Sequence, residues 1–168
     1  MIYYFAYGSN MSIKRLQSRV PSATAIDIAT LYEHELKFHK HSTVDNSAKC
    51  DAKETNNIKD YIIGVVFELA KKEKYLLDHA EGLGQGYETK DVEVFFNKNK
   101  TVTAFTYYAT LINPELKPYL WYKEHVVRGA IENNIPKAYI NKLKTVQAID
   151  DPDLSRHEFE LSLYHNKK

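Results

Sequence analysis

Near the start of the chain lies the stretch Ile2-Tyr-Tyr-Phe-Ala-Tyr-Gly-Ser-Asn10. Its first six residues are aromatic or apolar, which favours a buried β-strand, and the small polar residues after them predict a tight turn. Ser12 follows at a position where it could cap a helix, and Pro21 would end that helix. We therefore predict that this part of the chain folds as strand, tight loop and helix.

The rest of the chain mixes strands and helices without a regular βαβ alternation. Strands are predicted over 23–40, 61–68, 87–96 and 101–110, and helices over 71–80, 120–131 and from Pro136 onward. We expect a bend near Glu33, and we interpret Asn97–Lys100 as a hairpin turn. The pattern predicts an α+β fold: a single domain with a mixed, partly closed, barrel-like sheet that is flanked by helices.

Two segments give weaker signals. Residues 42–60 are polar, with few large apolar side chains, and we expect a mobile loop there. The single cysteine, Cys50, lies in this stretch, and we interpret it as a surface or loop thiol, with a nucleophile as the less favoured alternative. The tail over 155–168 has no clear pattern, and we assign it no structure.

Composition and charge narrow the class of protein. The 168 residues suit one domain spanning 1–168, and the formal net charge of +1 gives no field to hold a nucleic acid. One cysteine permits no internal disulfide, and no stretch approaches the roughly 18 apolar residues of a membrane span. We therefore expect a cytoplasmic protein with no membrane or nucleic-acid partner.

Two short segments could carry chemistry. The loop Tyr7-Gly8-Ser9-Asn10 could aim backbone N–H groups at a carboxylate or an oxyanion, although the residues alone favour an ordinary turn. Glu81 stands at a predicted helix end before three glycines, where the backbone could approach a ligand closely. A surface glutamate is an equally good interpretation. A dinucleotide fingerprint is rejected, since a helix precedes this segment and a strand follows it.

Other catalytic patterns find no support in the sequence. The seven histidines form no spacing typical of a zinc or iron site, and no Gly-x-Ser-x-Gly motif is present. We therefore expect neither a metal site nor a serine triad.

The two segments resemble the motifs of the γ-glutamylcyclotransferase family, also called AIG2-like. The first motif is Tyr4-Phe-Ala-Tyr-Gly-Ser-Asn-Met11, and the second is Leu77-Asp-His-Ala-Glu-Gly82. Further matches lie at Thr106-Tyr107 and between Tyr122 and Leu143. The resemblance covers roughly Ile2 to Val146, with the two motifs in the family's order.

The resemblance implies a small barrel-like fold and an enzyme that works without cofactor or metal. Such enzymes convert a γ-glutamyl-amino acid into 5-oxoproline and the free amino acid. In the family, the residue matching Glu81 is the general acid/base, and the loop matching Tyr7-Gly8-Ser9-Asn10 binds the glutamyl moiety. The tyrosines matching Tyr107 and Tyr122 contact the substrate or line its cavity. Analogy with some relatives also suggests a homodimer.

Three points are left open by the resemblance. Gly86 directly precedes Tyr87, where family members often have one more residue, so no role is carried over to Tyr87. The glutathione-specific branch typically carries another residue in place of Asn10, which disfavours glutathione as the substrate. The leaving group could be an amino acid or an amine. The alternative from another class is a non-catalytic binding module for γ-glutamyl or other acidic metabolites.

Overall fold

The computed structural model describes residues 1–96 and 100–165. Its strands are β1 (Ile2–Ala6), β2 (Thr24–Tyr32), β3 (His34–His41), β4 (Ala48–Glu54), β5 (Tyr61–Leu69), β6 (Tyr87–Phe95) and β7 (Thr101–Ala109). Its helices are α1 (Ile13–Arg19), α2 (Lys74–Glu81), α3 (Leu120–Glu132), α4 (Lys137–Lys144) and α5 (Leu154–Leu161). The hairpin turn predicted at 97–100 falls mostly on residues outside those described.

Five strands close into a barrel in the order β1-β5-β2-β6-β7. Strand β1 closes the barrel by pairing in parallel with β7, where Tyr4 lies opposite Phe105. The other neighbours in the barrel are antiparallel. The predicted α+β single domain with a barrel-like sheet and flanking helices is confirmed, and the barrel is closed rather than partly closed.

The core fills the barrel and the space under the helices. Fully buried side chains from β1, β5 and the helices meet there, among them Phe5, Phe67, Ile62, Leu69, Leu16 and Leu77. Leu77 is the fully buried residue of α2, so it fixes this helix against the barrel. Truncating such a residue to alanine typically costs about 2–5 kcal/mol, because a cavity remains.

The prediction of a mobile loop over 42–60 is wrong in part, because a strand of a second sheet lies within this segment. Glu33, with φ 59°, separates β2 from β3, and β3 then pairs with β4 to form a two-stranded antiparallel arm. The predicted loop is wrong over β4, where the small residues Ala48, Cys50 and Ala52 are buried and share the strand with a buried aspartate, Asp51. The alanine and cysteine side chains are small, so they carry a weak hydrophobic signal in the sequence.

Two glycines bring the loop after β1 close to its neighbours. A Cβ atom on Gly64 would collide with the carbonyl oxygen of Ala6, at the point where β1 ends. A Cβ atom on Gly129, in α3, would collide with the backbone of Met11 and Ser12. Side chains at these two positions would push β5 and α3 away. Glycine at both positions therefore lets β5 and α3 pack closely against the end of β1 and the loop after it.

The described part of the tail that had no assigned structure folds as α5 and a following 3-10 turn, Ser162–Tyr164, and residues 166–168 lie outside the described residues. Asp153 caps α5 by accepting a hydrogen bond from the Arg156 N–H at 3.1 Å. Glu160 pairs with the guanidinium of Arg15, so α5 is tied to α1. Across the described residues, no helix has both the length and the apolar character needed to span a membrane.

Candidate active site

Glu81 stands where α2 ends. Gly82 adopts the left-handed conformation, with φ 70°, and its N–H donates to the carbonyl of His79, which terminates the helix there. The Glu81 side chain is 16% exposed, so it is largely withdrawn from solvent while one edge faces a cavity. The helix end and the glycine thus place a carboxylate at a cavity wall.

One oxygen of the Glu81 carboxylate is held from two directions. Oε1 accepts a hydrogen bond from Asn10 Nδ2 at 3.0 Å and another from Arg19 Nη1 at 2.5 Å. The same amide and guanidinium also bind each other, because Arg19 Nη1 donates to Asn10 Oδ1 at 3.0 Å. No protein donor reaches Oε2 from anywhere within residues 1–96 and 100–165, so this oxygen remains open to a ligand.

A small cavity lies behind Glu81, between the loop after β1 and the barrel. This inner cavity has a volume of about 20 Å³. Its lining residues are Tyr4, Tyr7, Gly8, Ser9, Asn10, Cys50, Glu81, Tyr87, Tyr107 and Tyr122. A volume of this size accommodates about one water-sized group, such as a carboxylate or carbonyl oxygen.

The tyrosine hydroxyls around the inner cavity are engaged in fixed hydrogen bonds. Tyr7 donates to the carbonyl of Tyr107 at 2.6 Å, and Tyr107 donates to Asp78 Oδ1 at 2.6 Å. Tyr122 accepts from the N–H of Cys50 at 2.9 Å, and Tyr87 donates to the carbonyl of Cys50. The hydroxyls therefore fix the shape of the wall.

Burial keeps this wall neutral. It raises the pKa of Tyr7, Tyr87 and Tyr122 well above the ordinary value, and the pKa of Tyr4 and Tyr107 is raised as well. A phenol that stays protonated at neutral pH is a poor general base. Glu81 is the one carboxylate among the residues that line the inner cavity within the described chain.

A larger cavity opens on the other side of Glu81. This outer cavity has a volume of about 190 Å³ and includes the cationic side chains of Arg15, Arg19, Lys40 and Lys49 in its wall. Four residues line both cavities: Ser9, Glu81, Tyr87 and Tyr122. Glu81 therefore stands at the junction of a small neutral cavity and a larger cationic one.

The structure brings the predicted site residues into one place. Glu81 and the predicted substrate-binding residues all line the inner cavity: Tyr7, Gly8, Ser9, Asn10, Tyr107 and Tyr122. The hydroxyls of Tyr7 and Tyr107 are used in hydrogen bonds to protein groups, so these two rings contribute shape.

The structure corrects the interpretation of Cys50. Instead of a surface or loop thiol, it is a buried residue of β4 that lines the inner cavity, and burial raises the pKa of its thiol to about 12. The alternation of small residues around it was the available signal.

The cationic side chains of the outer cavity were not predicted from the sequence. Arg15 and Arg19 are four residues apart on α1, directly after the loop, and this spacing places both on the same helix face. That signal was available. Lys40 and Lys49 lie on β3 and β4, and their position next to the loop follows only from the tertiary fold. Tyr4 and Tyr87 were noted in the sequence without a site role, and the structure places both in the wall of the inner cavity.

The described residues offer no metal centre. Over 1–96 and 100–165, no group of three or more His, Cys, Asp or Glu side chains could hold a metal ion. His39 instead pairs with Asp51, with 2.7 Å between Nε2 and Oδ2. The arrangement as a whole combines one available carboxylate, a rigid neutral cavity and a cationic entrance, which suits proton transfer on a small polar ligand.

The fold is a closed α+β barrel with two adjoining cavities of a size that suits a small molecule. The model of the AIG2-like family matches residues 61–143. The γ-glutamylcyclotransferase of Homo sapiens is 31% identical over 150 residues, which cover 88% of this chain and 79% of that protein. The γ-glutamylcyclotransferase of Bos taurus is 32% identical over 152 residues, with the same coverage of both.

A solved structure of a γ-glutamyl cyclotransferase has a similar fold. It superposes with a TM-score of 0.81 at 30% sequence identity, and the match covers 89% of both chains. The chain therefore belongs to the γ-glutamylcyclotransferase family, and it is an enzyme of this type.

Proposed function

We propose that this enzyme converts a γ-glutamyl-amino acid or γ-glutamyl-amine into 5-oxoproline and the free amine, with Glu81 as the general acid/base. One observation carries the proposal: Asn10 and Arg19 hold Oε1 of Glu81, whereas no donor in the described chain reaches Oε2, and Glu81 lines both cavities. The similarity to the γ-glutamylcyclotransferases of Homo sapiens and Bos taurus supports the substrate class.

The reaction needs no protein nucleophile. The substrate's α-amine attacks its own γ-carbonyl carbon, so that a new C–N bond closes a five-membered lactam and the original amide C–N bond breaks. Glu81 takes a proton from the attacking amine and delivers it to the leaving nitrogen, which departs as the free amine. Oε2 is suited to both transfers in turn, because it is the oxygen not held by the protein.

The loop Tyr7-Gly8-Ser9-Asn10 supplies polar contacts for the glutamyl end. Ser9 and Asn10 begin a 3-10 turn, Ser9–Met11, and the first N–H groups of a helical turn have no partner within it. The inner cavity holds about one oxygen-sized group, so these N–H groups suit either the α-carboxylate or the oxyanion on the γ-carbonyl.

The tyrosine wall fixes the geometry of ring closure. Amine and carbonyl must meet within van der Waals distance, and a preformed cavity can contribute several kcal/mol of orientation. Tyr107 is locked by Asp78, and Tyr122 by the backbone of Cys50, so both rings are positioned before the substrate arrives.

The test is the release of 5-oxoproline from γ-glutamyl-alanine by the purified protein. Two matched compounds serve as controls: α-glutamyl-alanine, which presents the wrong carbonyl, and N-acetyl-γ-glutamyl-alanine, whose blocked nitrogen cannot close the ring. We expect 5-oxoproline from γ-glutamyl-alanine alone. Failure of γ-glutamyl-alanine and of a panel of γ-glutamyl amides would overturn the proposal, as would cleavage of the N-acetyl compound at a comparable rate.

A further inference from the structure

Among the residues that the structure describes, one cation of the outer cavity has no ionic partner. Arg15 pairs with Glu160, Arg19 with Glu81 at 2.5 Å, and Lys49 with Asp45 at 2.6 Å. Lys40 forms no ion pair with any residue of the described chain, 1–96 and 100–165. Four cations therefore face three carboxylates, and one positive charge is left for a ligand.

Lys40 is held in place although it has no ionic partner. It is only 6% exposed, and its ammonium lies 4.6 Å from the centre of the Tyr87 ring. A Cβ atom on Gly86 would lie 3.1 Å from Lys40 Cε, so the missing side chain leaves room for the lysine to pass. The ring attracts the charge, and the ammonium remains accessible from the outer cavity, where a ligand can reach it.

Burial makes the unpaired ammonium a strong attractor for an anion. It lowers the pKa of Lys40, whereas the negative charges of Glu81 and Asp45 raise it in part. A ligand carboxylate beside Lys40 would supply an acceptor, and a charge-assisted hydrogen bond of this kind is stronger than one between neutral groups.

The position of Lys40 indicates which part of the substrate it meets. Lys40 lines the outer cavity but not the inner one, Gly8 and Asn10 line the inner cavity but not the outer one, and Glu81 lines both. With the glutamyl end at the loop and the scissile amide at Glu81, the leaving group extends into the outer cavity toward Lys40.

We infer that Lys40 is a specificity-determining residue that binds a carboxylate on the leaving group, so that the enzyme prefers γ-glutamyl-amino acids to γ-glutamyl-amines. This inference rests on the proposed function and deepens it. Its new element is that Lys40, and neither the loop nor Glu81, recognises the carboxylate of the leaving group.

Two substrates that differ by a single carboxylate test the inference. γ-Glutamyl-alanine and γ-glutamyl-ethylamine release amines that are related by loss of the carboxylate. We expect Lys40→Met to lower kcat/KM for γ-glutamyl-alanine by about 10- to 100-fold, and to leave kcat/KM for γ-glutamyl-ethylamine within about twofold. Lys37→Met is the matched control, since Lys37 lies on the same strand with a side chain that is 38% exposed. The two leaving amines differ in basicity, which affects how fast each departs. Because each variant is compared with the wild type on the same substrate, this difference cancels.

A measurement on the unmodified protein keeps the inference testable if Lys40→Met fails to fold. Wild-type protein should turn over γ-glutamyl-alanine at least about tenfold better than γ-glutamyl-alaninamide, whose carboxylate is capped. Equal kcat/KM for these two compounds would overturn the inference. A Lys40→Met effect of the same size on both test substrates would do so too, because Lys40 would then act on the glutamyl end or on the fold. Both results leave the proposed function standing. The absence of 5-oxoproline from every substrate would instead overturn the proposed function, and the inference with it.

Discussion

The inner and outer cavities share Glu81 but are built from opposite kinds of groups. Neutral tyrosines with fixed hydroxyls form the inner wall, whereas arginine and lysine side chains dominate the polar wall of the outer cavity. The inner cavity therefore selects the bound group by its shape, and the outer cavity selects it by its charge. In this account, the inner cavity anchors one oxygen of the glutamyl end for ring closure, and the outer cavity determines the choice of leaving group.

The inner cavity should be sensitive to the amide that holds Glu81. Asn10→Asp keeps the size of the side chain but replaces the donor to Oε1 with a second carboxylate, which repels it. We expect kcat/KM for γ-glutamyl-alanine to fall by about 10²- to 10³-fold. Asn141→Asp, exposed on α4, makes the same chemical change away from the site and should have no effect. Full activity in Asn10→Asp would show that Glu81 needs no such anchor.

The stability of the packing behind the outer cavity should decrease at acidic pH, because His125 is buried there. His125 is fully buried, with Nε2 3.0 Å from Arg15 Nη1, and burial lowers its pKa to about 4. In the unfolded chain a histidine titrates near 6.5, so below that pH the unfolded state binds the extra proton and stability falls. We expect the free energy of unfolding to be about 2 kcal/mol lower at pH 5 than at pH 7.5 from this group.

Urea unfolding of His125→Gln at both pH values measures that contribution. The variant should lose less stability on acidification than the wild type, whereas His165→Gln, at an exposed histidine, should behave like the wild type. An unchanged pH dependence in His125→Gln would contradict the buried neutral state of His125.

The tight packing of the loop predicts a smaller effect. A Cβ atom on Gly8 would lie 3.0 Å from Cys50 Cβ and 3.3 Å from Tyr122 Oη, so Gly8→Ala must displace the wall slightly. We expect about a tenfold loss in kcat/KM, with a melting temperature that shows the fold to be retained. If Gly8→Ala were as active as the wild type, the wall of the inner cavity could shift without slowing ring closure, which would contradict this prediction.

Cys50 should have the smallest effect on activity. Burial raises the pKa of its thiol to about 12, so at pH 8 almost no thiolate is present to react. We expect Cys50→Ala to keep kcat/KM within about threefold, and iodoacetamide to modify the native protein only after unfolding in urea. Rapid alkylation of the folded protein at pH 8 would contradict this description of the wall.

The two cavities also differ in how far the sequence revealed them. Most residues of the inner cavity lie in two compact motifs: the strand end around Gly8 places several neighbours there, and the helix end adds Glu81. Lys40 and Lys49 come from an arm whose second strand was predicted as a loop, since Ala48 and Ala52 bury too little surface to mark it.

The barrel was more predictable than its closure. Strand β5 has a continuous apolar run, and β6 and β7 alternate clearly, so local patterns identified them. Closure depends on the pairing of Tyr4 with Phe105, which are far apart in the sequence. The position of α5 likewise depends on Glu160 reaching Arg15, a contact that no local pattern contains.

The most direct test of the account is the turnover of γ-glutamyl-alanine by Glu81→Gln. The amide retains the size of the side chain but cannot exchange a proton as a carboxylate does. We expect 5-oxoproline formation at saturating substrate to fall by about 10²- to 10⁴-fold, with calorimetry showing that 5-oxoproline still binds. Glu93→Gln, at an exposed position of β6, is the matched control and should be fully active. Near-normal turnover by Glu81→Gln would contradict the assignment of Glu81 as the acid/base.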